Sequence, residues 1–211
     1  MVRSILVADE HPVVRKGVVH ILNSTPDLSV DGEASSGLEL LELLRERTWD
    51  AVVMDLNMPG ISGMDLLKQV QVIRPKVPVL ILTVQREDIY ARRLLQAGAA
   101  GFLSKESIVE ELINAVQKIC AGGRFVSRHL AEEIAFSFDT DPGRPPHEQL
   151  SDREFEVLRL LAAGMTPTAI AEKLCLSVKT VSTYRVRILE KLHMKTTADL
   201  IRYAVKSGFV E

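Results

Sequence analysis

Four charged residues, Asp9 with Glu10, Asp55 and Lys105, each follow a short apolar run. Ile5-Leu6-Val7-Ala8 precedes the acidic pair, Ala51-Val52-Val53-Met54 precedes Asp55, and Ala100-Gly101-Phe102-Leu103 comes just ahead of Lys105. Carboxylates titrate near pH ~4, so three brought together repel one another at neutral pH unless a cation lies between them. Oxygen ligands of this kind suit Mg2+, which keeps several waters. An aspartate is itself a competent nucleophile toward phosphorus, and a lysine beside it neutralises charge on the transferring group. The residue types therefore point to a phosphate-receiving switch. Asp55 takes the phosphoryl group; Asp9, Glu10, Asp55 and a carbonyl at Asn57 hold the metal; Lys105 supplies fixed positive charge. Thr83, after the apolar run 79–82, offers a hydroxyl to a phosphoryl oxygen, and Phe102 is placed to follow Thr83 inward when it moves.

Such a site needs elements that converge. The short apolar runs, punctuated by Gly and Pro, read as buried parallel strands. The pattern predicts strands near 3–8, 28–34, 50–54, 77–82 and 100–103, with helices near 12–23, 36–47, 63–73, 86–97 and 107–121. Five strands alternating with five helices imply an α/β fold with a doubly wound, five-stranded parallel sheet and right-handed connections. In such sheets ligands bind at the carboxyl ends of the strands, where all four charged groups fall.

The chain has 211 residues, 46% hydrophobic and 26% charged, enough for more than one domain. No apolar stretch approaches ~18 residues, which excludes a membrane-spanning helix. Met1-Val2-Arg3 leads straight into the first strand, so a cytoplasmic protein without membrane partners is expected. Cys120 and Cys175 fall in helical patterns without metal-ligand spacing and read as small core residues. The net charge of −2 hides an asymmetry: residues 1–149 carry 16 basic and 21 acidic groups, residues 150–211 carry 10 and 7. A basic tail on an acidic body suits nucleic acid.

Gly122-Gly123 ends the last helix of the sheet domain, 128–136 is compatible with one short helix, and the stretch to Gln149 is polar and Pro-rich. The reading is a domain over 1–122, a linker over 123–149, and a second, all-α domain of four helices over 150–211. Ser151 and Glu154 form a capping box, Gly164 ends the first tail helix, and Ser177 caps a third helix running from 178 to about 192. With Val181 set toward the core, Ile188 and Leu192 share its side, while Lys179, Thr183, Val186, Arg187 and Glu190 face away. Two helices joined by a short turn, the second exposing basic and hydroxyl side chains, match a helix-turn-helix that enters the major groove of double-stranded DNA. Thr183, Val186 and Arg187 suit base edges; Lys179, Thr180, Tyr184 and Lys191 suit phosphates, and Ser182 lies among them. Arg185 leans toward the core and must snorkel or pair with an acid, for which Glu154 is the expected partner. The fourth helix, with Leu200, Ile201, Tyr203 and Val205, either forms a dimer contact or closes the small core.

Residues 3–121 resemble the receiver domain of bacterial two-component response regulators, through the acidic pair, Asp55 with Met58-Pro59-Gly60, Thr83, Ala97-Gly98-Ala99 and Lys105. The tail strings 150–160, 170–174, 177–181 and 188–192 look like the LuxR-type helix-turn-helix, so the chain is similar to the NarL/FixJ family. Tyr184-Arg185, where many members carry His-Val, resembles the BvgA-like subgroup. The resemblance implies a flavodoxin-like receiver phosphorylated on Asp55 by a sensor histidine kinase with magnesium present. It also implies a tail that the free receiver constrains, and a homodimer on paired half-sites after activation. It implies no enzyme beyond self-directed phosphoryl acceptance and loss. A phosphatase of related fold places an acid two residues after its nucleophile, where this chain has Asn57. A DNA-binding protein indifferent to phosphate is the other alternative.

Overall fold

The computed structural model describes residues 2–59, 61–83, 87–126 and 145–209. The short helix anticipated at 128–136 lies outside them. The chain forms two compact units, divided near residue 135.

The first unit alternates strand and helix throughout: β1 Arg3–Ala8, α1 Pro12–Asn23, β2 Leu28–Ala34, α2 Gly37–Glu46, β3 Ala51–Asp55, α3 Gly63–Ile73, β4 Val79–Thr83, α4 Glu87–Gln96, β5 Gly101–Ser104 and α5 Ile108–Cys120. All strands are parallel, in the order β2-β1-β3-β4-β5. Side chains alternate along a strand. Ile5, Val7, Val53, Leu80, Leu82 and Leu103 therefore share one face and form a core with Leu112, Ala115, Val116 and Ile119 of α5. The alternate set, Leu6, Val52, Met54, Ile81 and Phe102, is equally buried and belongs to the other face. Burial on both sides is why these runs read as continuous apolar strings. The register aligns Ala8 with Met54, Asp55 with Leu82, and Thr83 with Ser104. Four neighbouring strands thus end at one level, and Asp9, Asp55, Thr83 and Lys105 sit at those ends.

After α5 the chain turns back at Gly122 (φ +83°) and Phe125 joins the open edge of β5 as a parallel bridge to Gly101. The sheet domain therefore extends past the expected boundary at residue 122.

The second unit holds a 3₁₀ turn over Pro146–Gln149 and helices α6 Asp152–Ala162, α7 Pro167–Lys173, α8 Val178–Lys191 and α9 Thr197–Lys206. Each helix starts at a hydroxyl cap, Ser151, Thr166, Ser177 and Thr196, and the first and last are full capping boxes with Glu154 and Asp199. Each ends in a left-handed residue: Gly164, Cys175, His193 and Gly208. Cys175 is thus an exposed turn residue rather than the core residue its neighbours suggested. His147 packs its ring against Phe155, Tyr203 and Phe209 and shares a 2.7 Å hydrogen bond with the Tyr203 hydroxyl. The polar, Pro-rich linker is anchored at both ends, by the Phe125 ring in one core and the His147 ring in the other. Among the described residues no helix is long and apolar enough to cross a membrane.

Candidate functional site

Asp9 and Asp55 leave their strands with carboxylates buried to 1% exposure, and the Lys105 ammonium, at 11%, lies between them. Its Nζ is 2.7 Å from Asp9 Oδ2 and donates a 2.8 Å hydrogen bond to Asp55 Oδ2. The remaining oxygens meet local backbone: Asp9 Oδ1 accepts from the His11 amide at 2.8 Å, and Asp55 Oδ1 from the Asn57 amide at 3.1 Å. Burial pulls the Lys105 pKa down, but its contacts with the Asp55 and Asp9 carboxylates outweigh it, and the net shift is upward. The ammonium is therefore fixed at any ordinary pH.

The turn that follows Asp55 is held tightly to α3. A Cβ on Gly63 would lie 2.1 Å from the Leu56 carbonyl oxygen, so only glycine allows this approach. Thr83 is fully buried one residue beyond Leu82, the register partner of Asp55. Phe102 is fully buried as well. Its ring lies in the core of the sheet.

Charge does not balance here: two buried carboxylates face one ammonium. Asp9 Oδ2 has the ammonium nearby but no hydrogen bond of good geometry, and is the one such buried side-chain atom among the described residues. Donor atoms of Asp9, His11 and Asp55 lie within 4.8 Å of one another. Oxygen-rich, negatively charged and under-satisfied, this group fits a small divalent cation. Glu10, expected as the third carboxylate, is not brought in; its side chain is 40% exposed and reaches the His11 ring at 4.0 Å. His11 was not anticipated. Its place two residues after Asp9, capping α1, was the available signal.

In the tail, Val181, Ile188 and Leu192 are buried as the helical wheel requires. Lys179, Ser182, Thr183, Val186 and Arg187 form an exposed face of α8, with Val186 46% exposed. Thr180 and Tyr184 are half-buried. The Thr180 hydroxyl meets the Ser177 cap at 2.8 Å, and the Thr183 hydroxyl bonds back to the Lys179 carbonyl at 3.0 Å.

Residues 5–117 match the response regulator receiver domain, and residues 148–204 match the luxR family of bacterial regulatory proteins. The chain is 38% identical to the response regulator GacA of Pseudomonas aeruginosa, over 98% of this chain and 97% of that one. It is 32% identical to UvrY of Escherichia coli K12, over 97% and 94%. The chain belongs to the NarL/FixJ response regulators. A structure of RcsB from Salmonella enterica serovar Typhimurium, bound to the promoter rprA with the phosphomimetic BeF3−, is similar at TM-score 0.68 and 26% identity, covering 96% of this chain and 98% of that one.

Within this response regulator the pairing expected in the DNA-binding domain needs correction, and Lys191 gains a partner of its own. Lys191, expected on a phosphate, bonds the buried Glu154 carboxylate at 2.6 Å and the Gln149 carbonyl at 3.4 Å. Arg185, expected to pair with Glu154, donates to the Thr197 hydroxyl at 3.0 Å instead. Six residues separate the two on α8, so they lie on different sides of the helix. The Glu154 carboxylate at the start of α6 meets the side that Lys191 shares with the end of α8. Burial pushes the Glu154 pKa up, while Lys191 and the Ser151 cap pull it down, and the net shift is downward.

Proposed function

We propose that this response regulator accepts a phosphoryl group on Asp55 from a sensor histidine kinase and thereby gains affinity for promoter DNA as a homodimer. The supporting observation is the imbalance of two buried carboxylates against one ammonium at a strand-end crevice. Asp9 and Asp55 would hold Mg2+, with the Asn57 carbonyl as a further oxygen; bound there, the ion neutralises charge on the transferring group. An Asp55 oxygen forms the new O–P bond as the P–N bond to the donor imidazole breaks. The Lys105 ammonium, already 2.8 Å from Asp55, then has a phosphoryl oxygen to bind in place of a carboxylate. Thr83, buried at the neighbouring strand end, donates its hydroxyl to another.

Asn57 at the position where hydrolases need an acid favours a lasting acyl phosphate over rapid turnover. In the tail, Lys179 and Thr180 would meet phosphates, and Ser182, Thr183, Val186 and Arg187 would read base edges, with Tyr184 at the rim. The duplex partner and the cytoplasmic place of action follow from that role. RcsB, a relative solved on a promoter in the presence of a phosphomimetic, supports a link between the two sites. The test is DNA affinity with and without beryllofluoride, alongside labelling by acetyl phosphate. A chain that labels on Asp55 and binds DNA more tightly with beryllofluoride fits; equal affinity in both states rejects phosphate control.

A further inference from the structure

We propose that Phe125 is a positioning residue for the switch: its backbone, laid on the edge of β5, ties the start of the linker to the strand that carries Phe102 and Lys105. The inference rests on the phosphorylation-controlled reading above and assigns it a mechanical path. The bridge is made of two hydrogen bonds. The Phe125 amide donates to the Ala100 carbonyl at 3.0 Å, and the Phe102 amide donates to the Phe125 carbonyl at 2.9 Å. Strand β5, through this two-bond bridge, thus links the Asp55 partner Lys105 and the buried Phe102 ring to the first linker residues.

Three features show that the seat is built. The Phe125 ring is buried in the core with Leu80, Leu103, Val116 and Ile119, which fixes the backbone from behind. Gly101 leaves the space: a Cβ there would fall 2.9 Å from the Phe125 carbonyl oxygen and 3.0 Å from its Cβ. The approach is set by a reversal at Gly122, with the Gly123 amide bonded to the Lys118 carbonyl at 3.0 Å. An edge strand otherwise presents unpaired amides. Here one of them, on the residue next to Gly101, is satisfied by the segment that leaves for the DNA-binding domain.

Lys105 is bonded to the phosphoryl-accepting carboxylate, so a change of partner there moves β5, and β5 moves residue 125. Coupling of this kind needs a shared element that both ends bias, and the bridge supplies one. Phe125 touches no reacting atom; it acts through β5.

The test uses the full chain and a duplex recovered from a random pool by the wild-type protein. The gain in affinity caused by beryllofluoride is compared with acetyl-phosphate labelling of Asp55. Gly101→Ala and Phe125→Ala should lower that gain about tenfold, within the usual range of coupling, while labelling stays within about twofold. Phe125→Leu, which keeps an apolar anchor, should restore the gain. Leu112→Ala, a truncation in the same core away from the bridge, should leave it intact. Full gain in Gly101→Ala and Phe125→Ala overturns the proposal, as does loss of gain in Leu112→Ala to the same extent. If the variants fail to fold, hydrogen exchange on the wild type decides: slow Phe102 and Phe125 amides support the bridge, and exchange at open-chain rates rejects it. A wild-type chain that shows no gain with beryllofluoride would instead defeat the underlying reading.

Discussion

Two lysines of this chain sit against buried carboxylates, and the sequence made them look alike in role. Lys105 faces two, Asp9 and Asp55, while Lys191 faces one, Glu154. The second pair is closed: one charge of each sign, with the carboxylate also bonded to the Ser151 amide at 2.7 Å. The first is open, carrying a surplus negative charge in a crevice. A balanced buried pair is structure, and removing either partner destabilises. An unbalanced one still has affinity for something positive, and that is what a site requires.

The comparison is open to attack from either end. The largest effect is expected at Asp55: Asp55→Asn should abolish acid-labile labelling by acetyl phosphate, and residual label on that variant would move the phosphoryl group elsewhere. Next comes the closed pair. Lys191→Met should cost about 2 kcal/mol of tail stability, a value reduced because the lysine is 40% exposed, and should leave the salt dependence of DNA binding unchanged. Hydrogen exchange of α6 amides and binding titrations across salt read the two outcomes. Lys179→Ala should do the reverse, with stability unmoved and the salt slope flattened by about 1.

The Glu154 pair also gives a pH signature. Its folded pKa lies below the ordinary 4.5, so its contribution is complete above that value and is lost as pH falls through the lower, folded value. Protection of tail amides, taken relative to their intrinsic exchange rates, should fall in that acid window, and Glu154→Gln should remove the dependence. The smallest effect is expected for Thr197→Val, which takes one hydrogen bond from Arg185 and should cost about 1 kcal/mol or less.

The strands and the helical core positions were legible because burial writes itself as apolar runs and 3.6-residue stripes. The edge pairing of Phe125 was not, since one aromatic after two glycines carries no period. The tail turns show the same limit. Gly164 announced its helix end, but Cys175 and His193 adopt the same left-handed conformation at φ +53° without glycine to mark it. Side-chain partners were the least legible layer. Glu10 and His11 are adjacent, and which of them joins Asp9 depends on how α1 begins. Arg185 and Lys191 lie six residues apart on one helix, and only the approach of α6 decided which met Glu154.

The imidazole–phenol contact between His147 and Tyr203 has a practical consequence for anyone isolating the tail. A fragment begun at Leu150 would discard one wall of a four-ring cluster and strand the Tyr203 hydroxyl. A piece that keeps this contact must begin ahead of His147.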